Sequence, residues 1–200
     1  MEDDLKLKIL AVIVIIVGIL AILNSIYTQQ YGKMLWFCYI GLIIIGVGIL
    51  IKNPYIIASQ MIITFIPSLL WIIDFTAFSF FNFHVFDITT YFFNSQSLTS
   101  RIISFEHFLV VLAPLYALYK IKILNKYKWK IFLFSWIQIT IIFILTRLLT
   151  SYSDNINCAF YTCLPFDFPF PYIISWVIVM FTYNIATFLL IFKTSFFVKN

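Results

Sequence analysis

Charge is scarce in this chain: Asp, Glu, Lys and Arg make up 10% of its 200 residues, against roughly 25% in a soluble domain. With 63% hydrophobic residues and a mean hydropathy of +1.03, a water-soluble fold is excluded. Five glycines and six prolines are too few for a collagen-like or disordered chain. There are only two histidines, His84 and His107, where a zinc site wants three or four ligands, and the oxygen donors are scattered, so neither a metal nor a cofactor is expected. The sequence has no GxSxG, HExxH or phosphate-binding glycine loop. It has no internal repeat, no low-complexity tract and no sign of the inverted symmetry of many transporters. The first residues are acidic where a secretory leader would be basic, so no leader is expected. The chain starts Met1-Glu-Asp-Asp and no small-x-small site follows the first apolar run, which therefore reads as a retained span; neither end carries a lipidation box.

Apolar length is abundant. Six runs meet the ~20 residues needed to cross about 30 Å of hydrocarbon: Leu5 to Tyr27, Met34 to Ile51, Tyr55 to Phe75, Ile102 to Tyr119, Ile131 to Leu149 and Tyr172 to Phe192. They are continuous rather than alternating, which excludes the strands of a membrane barrel. The expectation is an all-α, polytopic membrane helix bundle with six transmembrane helices, forming one domain over residues 1–200. The 24 phenylalanines supply bulk for lipid contact.

Lysine and arginine are retained on the cytoplasmic side. Lys120, Lys122, Lys126, Lys128 and Lys130 crowd the loop between the fourth and fifth runs. Taking that loop as cytoplasmic and counting six crossings puts both termini inside, with Lys6, Lys8, Lys52, Lys193 and Lys199 on the same side. Only Lys33, Arg101 and Arg147 fall outside. Topology and anionic lipid thus account for the net charge of +5, and no nucleic-acid partner is expected. The long outer segments, Thr76 to Arg101 and Thr150 to Pro171, have the length of lids or binding loops. Pro165, Pro169 and Pro171 rule out a regular helix in the second. In the same loop Cys158 and Cys163 could pair as a small disulfide if that side is oxidising.

Polar residues inside spans mark function by default, because hydrocarbon solvates charge poorly. Glu106 and His107 stand side by side about one turn into the fourth run, although a pair at the headgroup boundary would also reach water. The assigned topology brings Cys38, Asp74, Glu106, His107 and Arg147 to a similar depth near the outer ends of four helices. Gln60, Thr64, Pro67, Trp71 and Asp74 recur at steps of four and three, a single helix face that should look inward. Gln60 and Gln138 could equally be hydrogen-bonding glue between helices, and Asp74 with Arg147 a structural ion pair. Cys38 shares a stripe with Gly41, Ile45 and Gly48, the pattern of a close helix contact, so a packing role competes with a chemical one. A thiol becomes a nucleophile when a base can take its proton, and Cys38 with His107 at one level is the minimum constellation for acyl transfer.

The stretches Trp36-Phe-Cys-Tyr-Ile-Gly41, Ile57-Ala-Ser-Gln60, Leu70-Trp-Ile-Ile-Asp-Phe75, Arg101-Ile-Ile-Ser-Phe-Glu-His107 and Asp154-Asn-Ile-Asn157 resemble a group of uncharacterised bacterial six-helix membrane proteins. In that group the fourth-helix motif reads Ser-Leu-Phe-His with a proline a few residues on; here Glu106 precedes His107 and Pro114 follows. More distantly, a Cys or Thr on the second helix and a His on the fourth resemble the androgen-induced membrane hydrolases and the ether-phospholipid acyltransferase. The first of these use threonine where this chain has Cys38. The resemblance implies hydrolysis or transfer of a lipid acyl ester, with Cys38 as nucleophile and His107 as base. Glu106 or Asp74 would orient the imidazole, Trp71 and Trp36 would line the lipid cleft, and Arg147, Arg101 or Lys33 would hold a phosphate headgroup. The alternatives are a transporter or proton relay through Asp74, Glu106, His107 and Arg147, and a non-catalytic partner for another membrane protein. The expected location is the bacterial inner (plasma) membrane.

Overall fold

The structure is a computed structural model that describes residues 2–94, 97–163 and 169–199. Nearly all of its regular structure is helical. Five helical stretches are long and apolar enough to cross a membrane: Glu2–Tyr27, Pro54–Phe81, Leu98–Ile121, Asn125–Leu149 and Tyr172–Lys193.

The first is α1 (Glu2–Tyr27), whose outer face carries Ile9, Ile16, Leu20 and Leu23 toward lipid and whose inner face buries Ala11, Val14 and Ala21. The second expected span differs from its sequence reading. A 3₁₀ turn occupies Tyr31–Leu35, Trp36 is extended (ψ 132°), and α2 runs only over Phe37–Leu50. Its 14 residues reach about 21 Å, so a sixth full crossing is not shown. The 3₁₀ turn packs on α1, α2 and the later helix Lys128–Leu149, although none of its residues is fully buried.

α3 (Pro54–Phe81) is longer than the apolar run that predicts it. Asn53 caps its start, accepting the Tyr55 and Ile56 amides at 3.0 and 3.3 Å with Pro54 in the first turn, and Asn82 ends it in the left-handed region (φ 56°). After the short α4 (Thr90–Asn94), the fourth expected span is divided at Phe105 into α5 (Leu98–Ser104) and α6 (Glu106–Ile121). α7 (Lys128–Leu149) and α8 (Tyr172–Lys193) complete the bundle.

α3 and α6 are the central pair, packed on one another and on α2. Leu42, Ile45, Ile57, Met61, Val110, Leu118 and Ile191 form the main core, and a second cluster of Phe37, Ile63, Ile139, Trp176 and Met180 joins α7 and α8 to α3. Gln60 donates to Gln138, and the Ser135 hydroxyl donates to the Ser59 carbonyl at 3.1 Å, so the polar stripes of α3 and α7 act as glue in mid-bundle.

The acidic start of α1 is tied to the turn after α2 and to the last turn of α6 at one end of the bundle. Asp4 pairs with Lys52 at 2.5 Å and Asp3 with Lys120 at 3.0 Å. At the same end Ile123–Leu124 pairs in parallel with Val198–Lys199. Segments 84–94 and 150–163 close the opposite end, and residues 164–168, with Pro165, lie outside the described residues.

α1 and α2 meet through glycine. A Cβ on Gly46 would stand 2.4 Å from Ile15 Cγ1 and 2.9 Å from the Ala11 carbonyl oxygen. Gly46→Val should therefore lower stability by about 1–3 kcal/mol, measured as a drop in the unfolding midpoint in detergent. The lipid-facing Val47→Ala, 42% exposed, should stay within about 0.5 kcal/mol of the parent.

Candidate functional site

Two helix starts make the site. Trp36 breaks the chain just before α2, which puts Cys38 in the first turn, and the division at Phe105 puts Glu106 and His107 in the first turn of α6. The Cys38 sulfur, a Glu106 carboxylate oxygen and a His107 ring nitrogen all lie within 4.8 Å of one another. Glu106 is 1% exposed and His107 9%, and Cys38 is partly buried.

The break also orients the imidazole. His107 Nδ1 lies 2.9 Å from the Ser104 carbonyl oxygen, a helix-end acceptor. A proton assigned to Nδ1 on that bond leaves Nε2 with its lone pair. Glu106 Oε1 is 3.1 Å from Nδ1 but outside hydrogen-bond geometry, and neither carboxylate oxygen of Glu106 has a hydrogen-bond partner. Trp71 stacks on the His107 ring (centroids 4.4 Å apart, 10° between planes), and its indole N–H donates to the Tyr91 hydroxyl at 2.8 Å. The site residues on α6 and α3 are thus locked by packing.

Above them is a cavity of about 700 Å³. Trp36, Cys38, Trp71, Tyr91 and His107 line its inner part, while Asn155, Cys158 and Tyr161 come from the loop and Trp176 and Met180 from α8. Lys33 lies over the Trp36 ring at 5.1 Å. Burial lowers the Lys33 ammonium pKa from its usual value, and Asp154 partly offsets the effect.

The loop is built on two asparagines with positive φ, Asn155 at 39° and Asn157 at 54°, a region asparagine tolerates better than most residues. Asn157 accepts the Phe37 amide at 3.1 Å, donates to the Leu35 carbonyl at 2.7 Å, and offers its own carbonyl to the Trp176 indole at 3.3 Å. It thereby fastens the loop to the start of α2. Asn155 accepts the Phe160 and Tyr161 amides, and Cys158 and Cys163 are joined in a disulfide. The Asp154-Asn-Ile-Asn157 stretch is notable in sequence, but its bridging of α2 and α8 is not readable from spacing.

Asp74 and Arg147 stand apart from the cluster. The inward face of α3 is as expected, with Gln60, Thr64, Trp71 and Asp74 all buried, yet the Asp74 carboxylate folds a local turn instead of joining the cavity. It accepts the amides of Val85, Phe86, Asp87 and Thr89 at 2.7, 2.8, 3.3 and 2.9 Å and the Thr89 hydroxyl at 2.7 Å, and His84 Nδ1 stands 3.2 Å away. Arg147 donates to the Ala159 carbonyl at 2.9 Å and lies against the Phe143 and Phe160 rings. The ion pair between them is not formed among the described residues: the 84–89 segment claims the carboxylate and the 150–163 loop claims the guanidinium. Of the expected headgroup cations, Arg101 is likewise taken up by a chain carbonyl, that of Phe93 at 3.4 Å. Compared with known family models, curated proteins and solved structures, the chain matches none.

Hydrogen bonds to an ionised carboxylate contribute about 1.5–3 kcal/mol each, so the 84–89 segment should depend on Asp74. In Asp74→Ala, amide hydrogen exchange over residues 85–89 should speed up by about tenfold or more. Unchanged protection would mean that the turn is held without the carboxylate.

Proposed function

We propose that the protein is a membrane-embedded lipid acyl hydrolase or acyltransferase of the bacterial plasma membrane, in which Cys38 is the nucleophile and His107 its base. The observation that carries this reading is the approach of the Cys38 sulfur to a His107 ring nitrogen at the floor of a largely apolar cavity. His107 takes the thiol proton, and the Cys38 sulfur attacks the ester carbonyl of an acyl lipid. The tetrahedral intermediate expels the alcohol, which leaves with the proton from His107, and a thioester remains on Cys38. Water, or the hydroxyl of a second lipid, then attacks the thioester with His107 again as base, releasing fatty acid or transferring the acyl group.

Each neighbour has a part in this chemistry. The Ser104 carbonyl and the Trp71 ring hold the imidazole in one tautomer and plane. Glu106, 3.1 Å from Nδ1, balances the charge of the imidazolium as it forms. Trp36 and Trp71 line the acyl-chain path. Lys33, over the ring of the cavity-lining Trp36, is the cation available to a phosphate headgroup, since Arg147 and Arg101 are engaged with chain carbonyls.

Purified protein given an acyl-lipid ester should accumulate a thioester at Cys38, read as an added acyl mass on the peptide that contains it. Cys38→Ala should abolish the adduct, and His107→Ala should slow its formation by about 10²-fold or more. Full lipid turnover by Cys38→Ala would overturn the mechanism.

The reading also requires the lysine-rich end to be cytoplasmic, with α2 completing a sixth passage. The bundle brings Lys52, Lys120 and the first turn of α1 together at that end. A cysteine placed at position 126 should be protected from an impermeant reagent added outside intact cells. Labelling from outside would reverse the orientation and move the cavity to the cytoplasmic leaflet.

A further inference from the structure

Two buried acids in this bundle are treated in opposite ways. Asp74 is saturated by the 84–89 segment, whereas both oxygens of Glu106 are buried without a hydrogen-bond partner. Asp4 Oδ1, Arg101 Nε and Asn184 Oδ1 also lack a hydrogen-bond partner among the described residues, but only Glu106 has both oxygens of a buried carboxylate in that state, and an acid so placed calls for a cation. Around Glu106 the available groups are a thiol and an imidazole, all three within 4.8 Å of one another.

We propose that Cys38, Glu106 and His107 form a binding site for a divalent transition-metal ion of the zinc class. The proposal rests on the donor geometry and is independent of the acyl-transfer reading.

A tetrahedral ion with one sulfur, one nitrogen and one oxygen ligand spaces its donors about 3.4 Å apart. The cluster needs to contract by about 1.4 Å at most to reach that spacing, within the range of side-chain adjustment. Three protein donors leave a fourth position, and both Cys38 and His107 line the cavity through which an ion or water would arrive. With Nδ1 held by the Ser104 carbonyl, the proposal gives Nε2 to the ion, the arrangement that a ligating histidine usually adopts.

Charge favours the same occupant. Binding releases the thiol proton, and also the carboxyl proton if it is present. Thiolate, carboxylate and a doubly charged ion then sum to zero, which suits a site walled by apolar groups. Donor softness selects among ions: thiolate and imidazole suit zinc, cobalt or nickel, while calcium and magnesium want shells of oxygen. Counting histidines in the sequence pointed away from a metal because it did not foresee a mixed donor set assembled from two helix starts.

Cobalt(II) added to tag-free, metal-free protein gives a direct readout. One equivalent should produce a thiolate-to-cobalt charge-transfer band together with the strong visible bands of a tetrahedral ion, and zinc should displace both while magnesium should not. The two other cysteines are joined as a disulfide, so a sulfur signal belongs to Cys38. The charge-transfer band should vanish in Cys38→Ser, and Glu106→Gln should weaken cobalt binding by about tenfold or more, since loss of even an outer-shell partner costs about that much. X-ray absorption at the zinc edge of the wild-type protein should show one sulfur among otherwise nitrogen and oxygen neighbours, which decides the matter if either variant fails to fold. Absence of the sulfur neighbour, or a band that persists in Cys38→Ser, would overturn the site.

The two readings fail separately. Zinc loading should block thioester formation, because the nucleophilic sulfur becomes a ligand. Metal bound through sulfur with no thioester in the metal-free protein would remove the acyl mechanism and leave the metal site. A thioester with no metal signal would do the reverse.

Discussion

A carboxylate withdrawn from water must find hydrogen bonds or a countercharge, or it costs several kcal/mol, and the cavity end of this bundle is organised around that demand. Asp74 meets it by drawing the chain back on itself, so that four successive or near-successive amides and a threonine hydroxyl converge on one side chain. The turn so formed leads into α4, whose Tyr91 holds the Trp71 indole. Trp71 in turn stacks on His107. Glu106, two elements away, has the same need and no such loop, which leaves Cys38 and His107 as the groups able to answer it.

Helix starts, rather than helix interiors, supply the chemistry. A continuous span would engage the Ser104 carbonyl in the helix ladder and turn Glu106 and His107 onto mid-helix positions. Breaking at Phe105 frees that carbonyl for the imidazole and sets both side chains in a first turn, where the helix dipole favours a negative charge. On the facing helix, the extended Trp36 gives Cys38 the same first-turn position, and Asn157 satisfies the Phe37 amide that the break exposes. Of the residues that the expected second span loses, Trp36 lines the cavity instead.

Sequence made the long elements legible because nothing interrupts them: α1, α7 and α8 follow from apolar runs of sufficient length, and the inward stripe of α3 from its steps of three and four. The two breaks were hidden because Trp36 and Phe105 are themselves apolar and leave no mark in a hydropathy window. The lysine distribution suggests a common level for Cys38 and His107, and the two side chains do lie close together. It could not give direction around the bundle. Asp74 and Arg147, expected at the same level, are each captured by the loop that follows their own helix, and loop closure is a long-range event that no local pattern records.

Beneath the cluster the interior is Leu42, Ile45, Met61 and Val110, and the next polar pair, Gln60 with Gln138, is already self-satisfied. A proton or ion reaching Glu106 from the cavity thus meets next a pair that is already hydrogen-bonded to itself, which weighs against a transmembrane relay and favours chemistry confined to the cavity end of the bundle. Within that confinement the Cys38 sulfur has two incompatible uses. As a nucleophile it needs a lone pair free to attack and a base that can accept its proton; as a ligand it gives the same lone pair to a cation and loses the proton to solvent. Glu106 bears on both: beside an imidazolium it is a counter-ion, and beside a divalent ion it is a donor. A carboxylate kept unpartnered next to a thiol is therefore the feature that couples the two uses, since whatever cation satisfies it also determines what the sulfur can do.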